Sequence, residues 1–122
     1  MKQKKILIID DQIFYLKSLE VALKKIFSVD IATNYGDAVK KLNDEFDAAL
    51  IDIRLDENDD KNIDGLKILE WIRMNKPQIS AFVMSAYREF SYAEQALNLG
   101  AKHFFKKPID VISLIVILEE KA

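Results

Sequence analysis

Carboxylate, hydroxyl and ammonium groups come directly after short apolar segments of this chain. Asp10 and Asp11 follow the first segment, and Asp52, Ser85 and Lys107 come at the ends of later ones. Three carboxylates brought together repel one another unless a cation lies among them, and oxygen ligands suit Mg²⁺. A carboxylate beside Mg²⁺ can attack a phosphoryl group, whose charge an ammonium and a hydroxyl would then stabilise. These residue types therefore predict phosphoryl transfer onto a carboxylate.

Each of these residues also has an ordinary structural explanation. A pair of aspartates after a strand is often a turn or a helix cap, and a single serine or lysine there is often only solvated. Their joint occurrence in this order, each after a different segment, favours a shared functional site over four unrelated surface features.

The segments that must position these residues alternate between strand and helix patterns. Residues 48–52 (AALID) have no polar alternation, which is typical of a strand buried on both faces of a parallel sheet. Apolar residues at helical spacing recur between such segments, as in Leu16, Leu19, Leu23 and Ile26. The predicted strands are 5–10, 29–32, 48–52, 79–84 and 102–105. The predicted helices are 11–27, 35–42 capped by Thr33 or Asn34, 65–75, 90–99 stopped by Gly100, and 109–120.

Five strand–helix repeats predict an α/β fold, with a parallel sheet covered by helices on both faces. The carboxyl ends of parallel strands share one edge of the sheet, where ligands bind in such folds. The polar residues that follow the strands would therefore meet there.

Composition narrows the class of protein. A chain of 122 residues, half of them hydrophobic and 31% charged, predicts one globular domain over residues 1–122. The net charge of −2 gives no general attraction to nucleic acid or an anionic membrane. The absence of cysteine excludes disulfides and thiolate metal sites, and the first apolar run is too short for a signal peptide or a membrane span. We expect a cytoplasmic protein.

Four segments together resemble the motifs of bacterial two-component response-regulator receiver domains, and the resemblance extends over essentially the whole chain. They are residues 8–11 (IIDD), 50–52 (LID), 84–86 (MSA) and 105–108 (FKKP). The resemblance implies a flavodoxin-like doubly wound fold with strand order 2-1-3-4-5. It also implies phosphorylation by a sensor histidine kinase or phosphotransfer protein, with no enzymatic activity beyond self-phosphorylation and slow dephosphorylation.

The same resemblance implies a role for each matched residue. Asp52 would be the phosphoacceptor, and Mg²⁺ would be held by Asp10, Asp11, Asp52 and the backbone carbonyl of Arg54. Lys107 would bind the phosphate. Ser85 would be the switch hydroxyl and Phe104 the switch aromatic. The Lys107–Pro108 peptide bond would be cis.

Some positions depart from the family pattern, and two others would affect the rate at which the phosphoryl group is hydrolysed. A proline usual after the phosphoacceptor is absent, and residues 56–62 form an acidic insertion before Asp64-Gly65. The insertion is interpreted either as a solvated loop or as an element that repels anions or tunes kinase choice. Arg54 and Tyr87, each two residues after a matched site residue, would flank the phosphoryl group and slow its hydrolysis.

Two other classes of protein remain open. A haloacid-dehalogenase-type Mg²⁺ phosphatase would need a second aspartate two residues after the nucleophile, where this chain has Arg54. A receiver-fold interaction module that is not controlled by phosphorylation is the other alternative, and phosphate labelling distinguishes it. A flavodoxin-like cofactor binder is disfavoured, because the residues after the first strand would repel a phosphate.

The last helix has more apolar residues than one face can bury. Ile112 and Val116 lie off its core stripe, and with Tyr92 and Leu99 they predict an interface formed by the fourth helix, the fifth strand and the fifth helix. This face would support homodimerisation or partner docking. Whether the chain acts alone or belongs to a longer regulator is left open by the sequence.

Overall fold

A computed structural model describes residues 3–86 and 91–122 of the chain. Within these ranges the strands are β1 (Lys5–Ile9), β2 (Ser28–Ala32), β3 (Ala48–Asp52), β4 (Ser80–Ser85) and β5 (Phe104–Lys106). The helices are α1 (Ile13–Leu23), α2 (Tyr35–Lys41), α3 (Asp64–Asn75), α4 (Ala93–Asn98) and α5 (Val111–Lys121). None of the helices in these ranges is long and apolar enough to cross a membrane.

The strands form one parallel sheet in the order β2-β1-β3-β4-β5. Successive residues of a strand point to opposite faces, so Ala49 and Ile51 of β3 join one core cluster, whereas Ala48 and Leu50 join the other. Helices α2, α3 and α4 cover the first face, and α1 and α5 cover the second. All five residues of β3 are buried, which explains why its sequence lacks polar alternation. The predicted α/β fold and strand order are confirmed.

Several predicted element boundaries are wrong by a few residues. Helix α1 ends at Leu23 rather than at residue 27, because the chain turns there and the N–H groups of Ile26 and Phe27 both donate to the Leu23 carbonyl. The turn buries Phe27 and leaves Ile26, which helical spacing places on one face with Leu16, Leu19 and Leu23, 39% exposed. The helical spacing of apolar residues thus continues past the real end of the helix. The start predicted for the fourth helix, residue 90, lies outside the described residues.

Two predicted boundary residues have the expected geometry. The Asn34 side chain caps α2 by accepting a hydrogen bond of 2.8 Å from the Asp37 N–H. Gly100 follows α4 with a φ of 97°, the left-handed conformation that glycine adopts without a steric penalty.

Candidate functional site

Three carboxylates converge at the carboxyl ends of β1 and β3. One oxygen from each of Asp10, Asp11 and Asp52 lies within 4.8 Å of the others, the only such acidic or histidine cluster among the residues described. Asp10 is fully buried and Asp52 is nearly so, whereas Asp11 is partly exposed. The predicted convergence of these residues is therefore confirmed in the structure.

Lys107 reaches into this cluster from the end of β5. Its Nζ lies 2.7 Å from Asp10 Oδ2 and 3.2 Å from Asp52 Oδ2, and only 11% of its side chain is exposed. Its backbone N–H donates to the Ser85 carbonyl over 2.8 Å, which ties it to the end of β4. The Lys107–Pro108 peptide bond is cis, as the family resemblance implies.

Burial and like charge together disfavour ionised carboxylates here. Burial, followed by the neighbouring Asp10 charge, raises the pKa of Asp52 to about 8, although Lys107 opposes the shift. Burial also raises the pKa of Asp11, while a hydrogen bond from the Glu57 N–H offsets part of that effect. Burial alone would lower the pKa of Lys107, but Asp52 and Asp10 raise it overall. The cluster therefore carries more acidic groups than its single ammonium can neutralise.

The donor set of this cluster fits a small, hard divalent cation. Its ligand atoms are all carboxylate oxygens, which Mg²⁺ and Ca²⁺ prefer to nitrogen or sulfur. Asp11 is partly exposed, so a cation bound beside it could keep some of its water ligands, as Mg²⁺ usually does. A cation at this position would also relieve the repulsion between Asp10 and Asp52.

Ser85 and Phe104 lie on the two strands beside the cluster. Ser85 is the last residue of β4 and is fully buried, with its hydroxyl donating to the Ala86 carbonyl over 3.1 Å. Phe104 is half-buried against the core and is paired with Val83 of β4. Tyr87, predicted to flank the phosphoryl group, lies outside the described residues.

Arg54 follows Asp52 by two residues and is largely buried. Only 10% of its side chain is exposed, and its guanidinium lies 3.4 Å from Asp60 Oδ1 in the acidic insertion. Arg54 therefore lies between the cluster and the insertion, lining the same small cavity as Asp52 and Lys107.

Gly65 fixes the backbone beside Asp52 through a very close approach. A Cβ atom added at Gly65 would lie 2.0 Å from the Asp52 carbonyl oxygen and 2.6 Å from the Ile53 Cα, both backbone atoms that cannot move aside easily. Its N–H donates to the Ile53 carbonyl over 2.8 Å. The first turn of α3 thus packs directly on the backbone that carries Asp52, which only glycine permits.

Sequence reasoning did not single out three residues that contact Lys107 or Asp11. The Tyr15 ring lies 4.7 Å from the Lys107 ammonium, and its hydroxyl accepts a 3.0 Å hydrogen bond from the Ile109 N–H. Gln12 Oε1 accepts from Lys107 Nζ over 3.2 Å. Glu57 contacts Asp11 through its backbone N–H. Gln12 directly follows the acidic pair, which is an available signal, but no local pattern connects Tyr15 with a residue 94 positions away.

The four predicted interface residues fall into two groups. Ile112 and Val116 on α5 are 75% and 49% exposed. Tyr92 and Leu99 are instead half-buried against the core cluster shared with α3, and their place in an interface stays a prediction. Helix α4 has only six residues, so the spacing of its apolar residues could not show which of their side chains are exposed and which are half-buried.

Comparisons with known proteins agree with this geometry. The family described as response regulator receiver domain matches residues 6–119. The transcriptional regulatory protein ZraR of Klebsiella oxytoca is 33% identical over 121 residues, covering 98% of this chain and 26% of that protein. The response regulator protein PilR of Pseudomonas aeruginosa is 33% identical over 113 residues, covering 91% and 24%. The chain thus spans about a quarter of the length of these curated relatives.

Solved structures show the same architecture. A CheY-like response regulator receiver domain protein from Methanospirillum hungatei aligns with a TM-score of 0.85 and 28% identity, covering 98% of this chain and 93% of that one. A response regulator protein from Burkholderia pseudomallei, solved with a phosphorylated aspartic acid, a calcium ion and citrate, aligns with a TM-score of 0.79 and 28% identity, covering 93% and 65%.

Proposed function

The chain belongs to the response regulator receiver domain family, and we propose that it accepts a phosphoryl group on Asp52 from a phosphohistidine of a sensor histidine kinase or phosphotransfer protein. The observation that carries this proposal is the Lys107 ammonium, 3.2 Å from Asp52 Oδ2 within a buried cluster of carboxylates. The phosphorylated aspartic acid in the relative from Burkholderia pseudomallei supports the same chemistry here.

In the proposed reaction an Asp52 carboxylate oxygen bonds to phosphorus as the bond from phosphorus to the histidine nitrogen breaks. Asp52 must be ionised to attack, although burial beside Asp10 raises its pKa to about 8. The Lys107 charge favours the ionised form and, after transfer, would pair with a phosphoryl oxygen. Lys107 therefore serves both the nucleophile and the product.

The cofactor of this proposal is Mg²⁺. Asp10, Asp11, Asp52 and the Arg54 backbone carbonyl would hold it, and the three carboxylates lie close enough together to share one cation. When bound, Mg²⁺ supplies positive charge that offsets the carboxylates and the transferring phosphoryl oxygens.

The remaining matched residues couple the phosphoryl group to a response. Ser85 would turn its hydroxyl toward a phosphoryl oxygen, and Phe104 would follow into the space beside it, so that this pair of residues has two alternative arrangements.

Arg54 and Tyr87 would restrict an attacking water and so lengthen the life of the acyl phosphate. The exposed Ile112 and Val116 would belong to the face that responds, through homodimerisation or docking of a partner.

Intact-mass spectrometry tests the proposal. The wild type incubated with phosphoramidate and Mg²⁺ is expected to gain one phosphoryl group, and the gain is expected to require Mg²⁺. Asp52→Asn should show no gain, whereas Asp59→Asn, which changes an exposed carboxylate of the insertion, should behave as the wild type. A wild type that gains nothing would instead favour a receiver-fold interaction module.

A further inference from the structure

The acidic insertion, residues 56–62, is an exposed loop whose two ends are joined by hydrogen bonds. The Asn62 side-chain oxygen accepts two hydrogen bonds of 3.0 Å, from the N–H groups of Leu55 and Asp64, and so joins the two ends of the loop. Within the loop, the Asp59 N–H donates to the Asp56 carbonyl over 3.0 Å, forming a turn with Glu57 at its first central position. The turn fixes the direction in which Glu57 faces.

Glu57 faces the carboxylate cluster. Its backbone N–H donates to Asp11 Oδ2 over 2.9 Å. Its carboxylate accepts from the Gln12 side-chain amide over 3.5 Å, and the oxygen of the same amide accepts from Lys107 Nζ over 3.2 Å. A single amide thus connects the Glu57 carboxylate to the lysine proposed to bind phosphate.

Glu57 also lines a small cavity beside Asp52. Together with Gln12 and Arg54 it lines a cavity of about 30 Å³ that extends to Asp52 and Lys107. Glu57 itself is exposed, whereas Asp52 is buried. A phosphodonor that approaches Asp52 from the side of this cavity would pass beside the Glu57 carboxylate.

We propose that Glu57 is a specificity-determining residue that disfavours phosphodonors according to their negative charge. Its carboxylate repels an anion at the mouth of the site and, by the same field, attracts a divalent cation to the cluster. This inference rests on the proposed phosphorylation of Asp52. It gives the acidic insertion a role in selecting the donor.

Two small phosphodonors differ in net negative charge, which is the property that this proposal concerns. Acetyl phosphate carries two negative charges at neutral pH, and its phosphorus–oxygen bond breaks with acetate leaving with the electron pair. Phosphoramidate carries one net negative charge, with a protonated nitrogen, and its phosphorus–nitrogen bond breaks to release ammonia. Both form the same acyl phosphate on Asp52, so a change in their relative rates on removal of one protein charge reports on the donor charge.

The experiment compares the rates of phosphorylation by the two donors at saturating Mg²⁺. In Glu57→Gln, the rate with acetyl phosphate relative to phosphoramidate should rise about two- to fivefold, and the rise should diminish at high salt because the charge is exposed. Glu57→Asp keeps the charge and should stay near the wild-type ratio. Asp59→Asn removes a charge from the same loop and should also leave the ratio unchanged, since the Asp59 carboxylate accepts from the Lys61 N–H within the loop and is not among the described residues that line the cavity.

Titration with Mg²⁺ gives a second readout that needs no phosphorylation. Glu57→Gln should bind Mg²⁺ about two- to fivefold more weakly than the wild type and Asp59→Asn. Equal donor ratios in the wild type and Glu57→Gln, or an equal change in Asp59→Asn, would overturn the inference. If neither donor modifies the wild type, the proposed function fails instead, and the Mg²⁺ titration alone decides whether the Glu57 charge acts on the site.

Discussion

The Lys107 ammonium lies 2.7 Å from Oδ2 of the fully buried Asp10, a residue 97 positions earlier in the chain. The same ammonium contacts Asp52, so one cation compensates two buried carboxylates that also repel each other. A buried charge without a partner costs several kcal/mol, which makes this lysine central to the stability of the site as well as to its chemistry. The metal-free protein therefore holds an electrostatic strain that substitution or pH can release.

Asp52→Asn is expected to stabilise the metal-free protein at alkaline pH. The pKa of Asp52 is raised from 3.8 to about 8, so between these values the folded protein holds a proton that the unfolded chain has already released. Raising the pH through this window consequently weakens the wild-type fold. The Asp52→Asn substitution would remove that dependence while Lys107 keeps its contact with Asp10.

Urea denaturation in EDTA, followed by circular dichroism, measures this effect. At about pH 8.5 the free energy of unfolding of Asp52→Asn should exceed that of the wild type by about 1–3 kcal/mol, and the difference should shrink toward about pH 5. Asp59→Asn serves as the control with an exposed carboxylate. A wild type that is more stable than Asp52→Asn at the higher pH would contradict the strain described here.

Asp11→Asn is expected to weaken Mg²⁺ binding by about tenfold or more, because it removes one of three anionic ligands from a small cluster. Isothermal titration calorimetry on the wild type, Asp11→Asn and Asp59→Asn measures the three affinities. Equal affinity in the wild type and Asp11→Asn would exclude Asp11 as a ligand.

Gly65→Ala is expected to destabilise the protein by about 2–4 kcal/mol, since the new methyl group would overlap the Asp52 carbonyl oxygen. Gly36 provides a matched control. It lies in α2 with its nearest neighbour 3.6 Å from an added Cβ, so Gly36→Ala should be neutral or stabilising by up to about 1 kcal/mol. Thermal unfolding of both variants measures the difference, and a Gly65→Ala protein as stable as Gly36→Ala would refute the close packing.

Much of this arrangement could be predicted from the sequence because its determinants are local. Apolar runs such as 48–52 identify buried strands, and the parallel topology then brings Asp10, Asp11, Asp52 and Lys107 to one edge. Contacts that depend on side-chain packing could not be predicted. The Tyr15 ring against Lys107 and the tight approach of Gly65 to Asp52 arise only when distant segments pack together. The half-buried positions of Tyr92 and Leu99 likewise depend on how α4 lies against α3.

Phosphorylation is expected to promote association through the exposed residues of α5. Beryllofluoride with Mg²⁺, which mimics the phosphoryl group, should raise the apparent mass of the wild type in sedimentation. Ile112→Glu combined with Val116→Glu should abolish the rise, because both side chains are exposed and available to a partner. Val21→Glu alters a comparably exposed apolar residue on α1 and should leave the rise intact. A wild type that remains monomeric in both states would exclude homodimerisation by this route.

The position of the phosphoryl group is tested most directly by chemical trapping. Borohydride reduces an aspartyl phosphate to homoserine, which tandem mass spectrometry then locates within the chain. After incubation with phosphoramidate and Mg²⁺, we expect homoserine at position 52 alone, and none when Mg²⁺ is withheld. Homoserine at Asp10, Asp11 or any other position, or its absence from position 52 in a protein that has gained a phosphoryl group, would contradict the assignment of Asp52 as the phosphoacceptor.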